Sequence, residues 1–148
     1  MKDIQKYQGV IPAFYACYDK NGEINPAAVR QLTEYFVQKG VKGVYVGGSS
    51  GECIYQGVAE RKLLLENVME AARGRLTVIA HVACNNTRDS QTLARHAESL
   101  GVDAIASIPP FTLGSRTTPS PNTGTTSATP RRTPTSSSTT SRSWRAWP

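Results

Sequence analysis

The chain has 148 residues, 39% of them hydrophobic, which is enough for one domain with a buried core. Its formal charge of +6 is unevenly spread: residues 1–110 hold 12 Lys and Arg against 11 Asp and Glu, while residues 111–148 hold five Arg and no acid. The high pI therefore does not mark a basic nucleic-acid face on the folded part, and no apolar run approaches the roughly 18 residues of a membrane span.

Met1-Lys2-Asp3-Ile4-Gln5-Lys6 contains no apolar stretch of the kind that forms a signal peptide. Gly9-Val10-Ile11-Pro12-Ala13-Phe14 reads as a first strand. Asn25-Pro26 then supplies an N-cap and a proline at the first helical position. The helix that follows carries Val29, Leu32 and Phe36 at i, i+3 and i+7 and stops near Gly40. Val44-Tyr45-Val46 is a short buried strand that runs into Gly47-Gly48-Ser49-Ser50-Gly51-Glu52. A second helix is expected over residues 58–72, with Leu64, Val68 and Ala71 facing inward. Leu76-Thr77-Val78-Ile79-Ala80-His81-Val82 is the clearest strand. A helix over residues 87–100 follows, with Leu93, Ala97 and Leu100 on one face, and after Gly101 a fourth strand is expected over residues 102–108.

This βαβαβαβ order, about 30 residues per unit with strands apolar on both faces, predicts an α/β fold of parallel strands covered by helices. A doubly wound open sheet and the first half of a (β/α)₈ TIM barrel both use it, and periodicity does not separate them. In either, function collects at the carboxyl ends of the strands, in the loops after Phe14, Val46, Val82 and Ile108.

Among these, the loop at residues 47–52 carries the chemistry. Its amides and two hydroxyls can donate to an anion held above the strands. It has neither the G-x-x-x-x-G-K-[ST] of a triphosphate loop nor the G-x-G-x-x-G of a dinucleotide site, so a small carboxylate suits it better. A tight βα turn with no ligand would need the same glycines. His81, in mid-strand, reads as an interior histidine rather than a catalyst, and His96 as a solvated group on the polar side of its helix. Tyr45 is expected to pack beside the strand, and Glu52 to brace the loop or a subunit contact. Lys39, Lys42 and Lys62, on or near helix ends, read as solvated charges. Cys17, Cys53 and Cys84 are far apart, with no C-x-x-C and no His at ligand spacing, so reduced thiols in a cytoplasmic protein are expected, with no metal site.

Tyr45-Val46-Gly47-Gly48-Ser49-Ser50-Gly51-Glu52, the Ala80-His81-Val82 strand and Leu100-Gly101-Val102-Asp103-Ala104-Ile105 together resemble the pyruvate-dependent class I aldolases. That family includes dihydrodipicolinate synthase and N-acetylneuraminate lyase. The resemblance covers residues 8–110, and Ser49-Ser50, where the synthases typically have Thr-Thr, is more similar to the lyase branch. It implies a (β/α)₈ barrel assembled as a homotetramer, acting on a small molecule, with no nucleic-acid or membrane partner and no cofactor. The implied reaction is reversible cleavage of N-acetylneuraminate to pyruvate and N-acetylmannosamine through a lysine Schiff base. On that resemblance Ser49 and Ser50 hold the pyruvate carboxylate, and Gly48 and Gly51 let the backbone approach it. The family's lysine lies on a later strand and none of Lys39, Lys42 and Lys62 matches it, so the chain is expected to be catalytically incomplete. Another pyruvate-dependent aldolase is the alternative within the class, and a non-enzymatic binding protein with a basic disordered arm the alternative outside it.

Residues 111–148 divide sharply from the rest: 11 Thr, 8 Ser, 5 Pro and 5 Arg fill 29 of 38 positions, with no Lys, Asp, Glu, Val or Ile. Such a segment cannot supply a fifth strand and helix. All but Phe111, Leu113 and Asn122 have codons with C or G at the second position, as expected of a GC-rich gene read one base out of register. The domain boundary is accordingly expected at residue 110, with a non-native, disordered tail beyond it.

Overall fold

The computed structural model describes residues 4–108. The tail at 111–148, and with it the expectation of a shifted reading frame, lies outside the described residues. Three helices alternate with three strands: α1 (Pro26–Gln38), β1 (Gly43–Val46), α2 (Val58–Ala72), β2 (Thr77–His81), α3 (Thr87–Ser99) and β3 (Ala104–Ala106). The strands lie side by side as β1-β2-β3, all parallel. Gly43 stands opposite Thr77 and Val46 opposite Ala80; Ile79 then stands opposite Ala104 and His81 opposite Ala106. Parallel neighbours require a crossover, which α2 and α3 supply.

Residues 9–14, expected as a first strand, make only an isolated parallel bridge between Ala13 and Tyr45. The Phe14 amide donates to Tyr45 O at 2.8 Å, the Tyr45 amide to Pro12 O at 2.9 Å and the Lys42 amide to Val10 O at 2.9 Å. The segment is thus stitched along β1, but Pro12 has no N–H and interrupts the ladder. The fourth expected strand is also shorter than residues 102–108. It has a neighbour on one side only among the described residues, and Ile105 is 45% exposed.

Asn25 Oδ1 accepts from the Ala27 and Ala28 amides at 3.1 and 3.2 Å, capping α1 with Pro26 at its first position. Val29 and Thr33 are buried, and Leu32 and Phe36 pack partly buried beside them. The Thr33 hydroxyl returns to Val29 O at 2.8 Å, so its polarity is satisfied inside the core. In α2 the inward row is Leu64, Val68 and Ala72; Ala71, expected to face inward, is only half-buried because i, i+4, i+8 is the row that meets the sheet. Leu93 and Ala97 bury the corresponding face of α3. His96 is not simply solvated: α3 turns it toward α2, where Nε2 lies 3.1 Å from Glu66 Oε1. Phe14, Val29, Val44, Leu64, Val68 and Val78 are fully buried at the centre. Each such side chain contributes about 1.5–3 kcal/mol relative to exposure. This core fixes the carboxyl ends of β1 and β2 against the start of α2.

Candidate functional site

β1 ends at Val46, and the chain turns at Gly47 with φ +70, a conformation that glycine adopts without steric cost. Gly48 is extended, and Ser49–Gly51 forms one 3₁₀ turn. The amides of Gly51 and Cys53 close it on Gly48 O at 3.0 and 3.3 Å, and the Glu52 amide closes on Ser49 O at 3.0 Å. Ser49 and Ser50 are exposed, and the first amides of the turn have no acceptor within it. Two glycines set how closely it packs. A Cβ on Gly48 would sit 2.6 Å from the Tyr45 ring, and one on Gly51 2.6 Å from Phe14 O. Gly48, Ser49, Ser50 and Gly51 therefore stand at the carboxyl end of β1, with the two serines exposed and the Gly51 amide already bonded to Gly48 O.

Beneath the turn lies Arg61, which the sequence reading passed over. It is 5% exposed and donates four hydrogen bonds to the two strand ends. Nη2 donates to His81 O at 2.5 Å and to Gly47 O at 3.4 Å; Nη1 donates to Ala83 O at 2.8 Å and to Cys84 Sγ at 3.1 Å. No carboxylate pairs with it among the described residues. The signal was in its position: Arg61, Leu64, Leu65 and Val68 fall at i, i+3, i+4 and i+7, so the arginine lies on the apolar face of α2.

His81 is buried at the end of β2, its ring tilted against Tyr45 with centroids 6.0 Å apart. Its Nδ1 lies 2.8 Å from Gly47 O. A carbonyl only accepts, so Nδ1 carries the proton and cannot also accept from Arg61. Burial pushes the His81 pKa below the usual histidine range, the Gly47 hydrogen bond opposes this, and the neighbouring guanidinium lowers it further. Gln56 Nε2 ties the far side of the turn, donating to Gly51 O at 3.0 Å and to the Tyr18 hydroxyl at 3.1 Å. A cavity of about 230 Å³ opens beside the serine turn, lined by Cys53, Gln56, Arg61, His81, Cys84 and Asn86 among others. Ser49 and Ser50 do not line it.

The other residues weighed from the sequence lie elsewhere. Lys42 leads into the opposite, amino end of β1, where Thr77 N–H donates to its carbonyl at 3.0 Å. Lys39 caps α1 with Nζ 5.3 Å from the Tyr35 ring centroid, and Lys62 is half-buried on α2. Glu52 is exposed and holds the left-handed position that ends the serine turn. Cys17, Cys53 and Cys84 are free thiols.

Residues 6–118 match the dihydrodipicolinate synthetase family. The chain is 74% identical over 111 residues to an N-acetylneuraminate lyase of Mediterraneibacter gnavus, covering 75% of this chain and 35% of that protein. An N-acetylneuraminate lyase of Escherichia coli is 40% identical over 104 residues, 70% of this chain and 35% of its own length. Among solved structures, a catalytic lysine mutant of the Ruminococcus gnavus sialic acid aldolase superposes with a TM-score of 0.76 at 71% identity, over 78% of this chain and 38% of that one. The Aquifex aeolicus dihydrodipicolinate synthase superposes with a TM-score of 0.67 at 30% identity, over 71% of this chain and 36% of that one. The chain thus spans about a third of the length of these relatives, and its parallel strands with alternating helices are the first half of a (β/α)₈ TIM barrel. The serine turn, the arc of strands that carries it and these likenesses agree: the chain belongs to the dihydrodipicolinate synthetase family, within which it is similar to N-acetylneuraminate lyases.

Proposed function

We propose that the chain supplies the carboxylate-binding part of a pyruvate-dependent aldolase that cleaves N-acetylneuraminate reversibly to pyruvate and N-acetylmannosamine. The observation that carries this reading is the 3₁₀ turn, in which Ser49 and Ser50 present hydroxyls and first-turn amides on a glycine-shaped backbone. Charge-assisted bonds from those donors would hold the carboxylate and leave the adjacent keto carbon open to attack. In the proposed reaction a lysine amine adds to that carbon and expels water, giving an iminium ion. The hydroxyl on the cleaved carbon gives up its proton and its oxygen forms the aldehyde carbonyl as the bonding pair of the C–C bond collapses toward the iminium. The resulting enamine takes up a proton, and water hydrolyses the iminium to release pyruvate and the free lysine. None of Lys39, Lys42 and Lys62 is assigned the nucleophile's place, so the chain as it stands is proposed to bind pyruvate without turning it over. The intact barrel is proposed to act as a homotetramer in the cytoplasm, a location suited to three free thiols. We propose a shifted reading frame as the origin of residues 111–148, and resequencing codons 105–115 tests it.

Titration of the chain with pyruvate, followed at the amides of Gly48 to Gly51, tests the site. Ser49→Ala and Ser50→Ala are each expected to weaken binding by about 1.5–3 kcal/mol, since each removes a donor to a desolvated carboxylate. Unchanged affinity in both variants would overturn the assignment. Borohydride reduction in the presence of pyruvate is expected to leave no stoichiometric adduct, and a pyruvyl group reduced onto one specific lysine, seen by mass spectrometry, would overturn the reading of an incomplete enzyme.

A further inference from the structure

We infer that Arg61 is a positioning residue for the serine turn, acting through the Gly47–Gly48 peptide. This rests on the carboxylate reading above. A trans peptide is planar, and its C=O and N–H point to opposite sides. Gly47 O is gripped from the interior by two donors, His81 Nδ1 at 2.8 Å and Arg61 Nη2 at 3.4 Å. Holding that oxygen inward turns the Gly48 N–H outward, onto the side where Ser49 and Ser50 begin their turn. The left-handed Gly47 allows this peptide orientation directly after a strand, at φ +70.

Arg61 also fixes where the two strand ends lie relative to one another. Its Nη2 bridges Gly47 O and His81 O, one from the end of each strand, while Nη1 reaches Ala83 O beyond β2. A planar guanidinium can satisfy these acceptors at once, which a lysine ammonium on a flexible stem cannot do at the same spacing. Three carbonyl dipoles, the Cys84 thiol and the His81 ring, whose Nδ1 lies 3.4 Å from Nη2, face the charge, with no carboxylate against it among the described residues. A carboxylate bound at the turn above would therefore complete the electrostatics of this cation without touching it.

The test compares the ¹⁵N-labelled chain with Arg61→Met and Arg61→Lys, without ligand and during titration with sodium pyruvate. The amides of Thr33 and Ala97 report the core and that of Gly48 reports the peptide. In Arg61→Met the ligand-free Gly48 amide is expected to shift while Thr33 and Ala97 stay in place, and pyruvate affinity to fall about tenfold or more. Arg61→Lys is expected to fall between that variant and the parent. An unmoved Gly48 amide, or affinity within about twofold of the parent in a folded Arg61→Met chain, overturns the inference. Should Arg61→Met unfold, the lysine variant decides: parental affinity with a folded core overturns the inference, and weakened affinity supports it. A parent chain indifferent to pyruvate removes the carboxylate reading, whereas a Gly48 amide displaced by Arg61→Met still supports the peptide clamp.

Discussion

Asp103 and Arg61 play matching parts at opposite ends of one sheet. The Asp103 carboxylate accepts the Val78 amide at 2.9 Å and Lys6 Nζ at 3.1 Å, and its backbone carbonyl accepts the Tyr7 hydroxyl at 2.8 Å. Arg61 gathers three carbonyls at the other end. The surroundings differ. Lys6 and Asp103 are a third or more exposed, so water screens their pairing and the ion pair itself adds little. Arg61 is desolvated, and leaving its partners unpaired would cost far more than an exposed pair returns. An exposed network can only fasten, whereas a buried cation surrounded by carbonyls both fastens and keeps an unpaired charge near the serine turn. The amino end therefore serves stability, and the carboxyl end serves stability and, on the proposed function, binding as well.

That contrast can be broken at either end. The largest effect is expected from Gly51→Ala, whose Cβ would lie 2.6 Å from the Phe14 carbonyl, with backbone on both sides of the clash. Denaturant unfolding should show a loss of about 1–3 kcal/mol, and pyruvate titration a loss of binding in the same variant. A smaller change is expected at the amino end. Asp103→Ala leaves the Val78 amide without its acceptor and should cost about 1–2 kcal/mol in the same unfolding measurement, with pyruvate affinity unchanged. An affinity change here would show that the two ends are coupled.

The mildest test is pH. The folded pKa of His81 is depressed below its unfolded value of about 6.5, so the unfolded chain binds the extra proton first. Stability contributed by neutral His81 should be complete above about pH 6.5 and decline as pH falls from there toward the folded pKa. His81→Gln should flatten that limb in unfolding curves taken across the window.

Local periodicity made much of this fold legible. Asn25-Pro26 announced the start of α1, and the 3.6-residue spacing of Val29, Leu32 and Phe36, or of Leu93 and Ala97, located the inward faces. The glycines and serines after Val46 marked the turn, because a bend that tight with exposed donors has few other compositions. What escaped depends on partners distant in sequence. Residues 9–14 have strand-like side chains, yet a ladder is made of amides, and Pro12 lacks one. His96 looked solvated because its neighbour Glu66 lies on another helix. Arg61 was hidden by the habit of assigning charge to water, although its place among Leu64, Leu65 and Val68 put it inside.

The register of the sheet also bears on how the protein comes apart. β1 pairs with β2 and β2 with β3, and the helices follow the same sequence, α1 against α2 and α2 against α3. Apart from the Lys6 and Tyr7 bonds to Asp103, the strands and helices are in this sense a linear array of nearest-neighbour couplings, the arrangement that lets repeat proteins be treated as one-dimensional chains. Such an array opens from its ends rather than all at once. β3, only three residues long and paired on one side among the described residues, is the weak terminus, and Val44 and Val78 lie where couplings meet from both directions. Opening free energy is then a slope running from Ile105 inward, and no single value describes it.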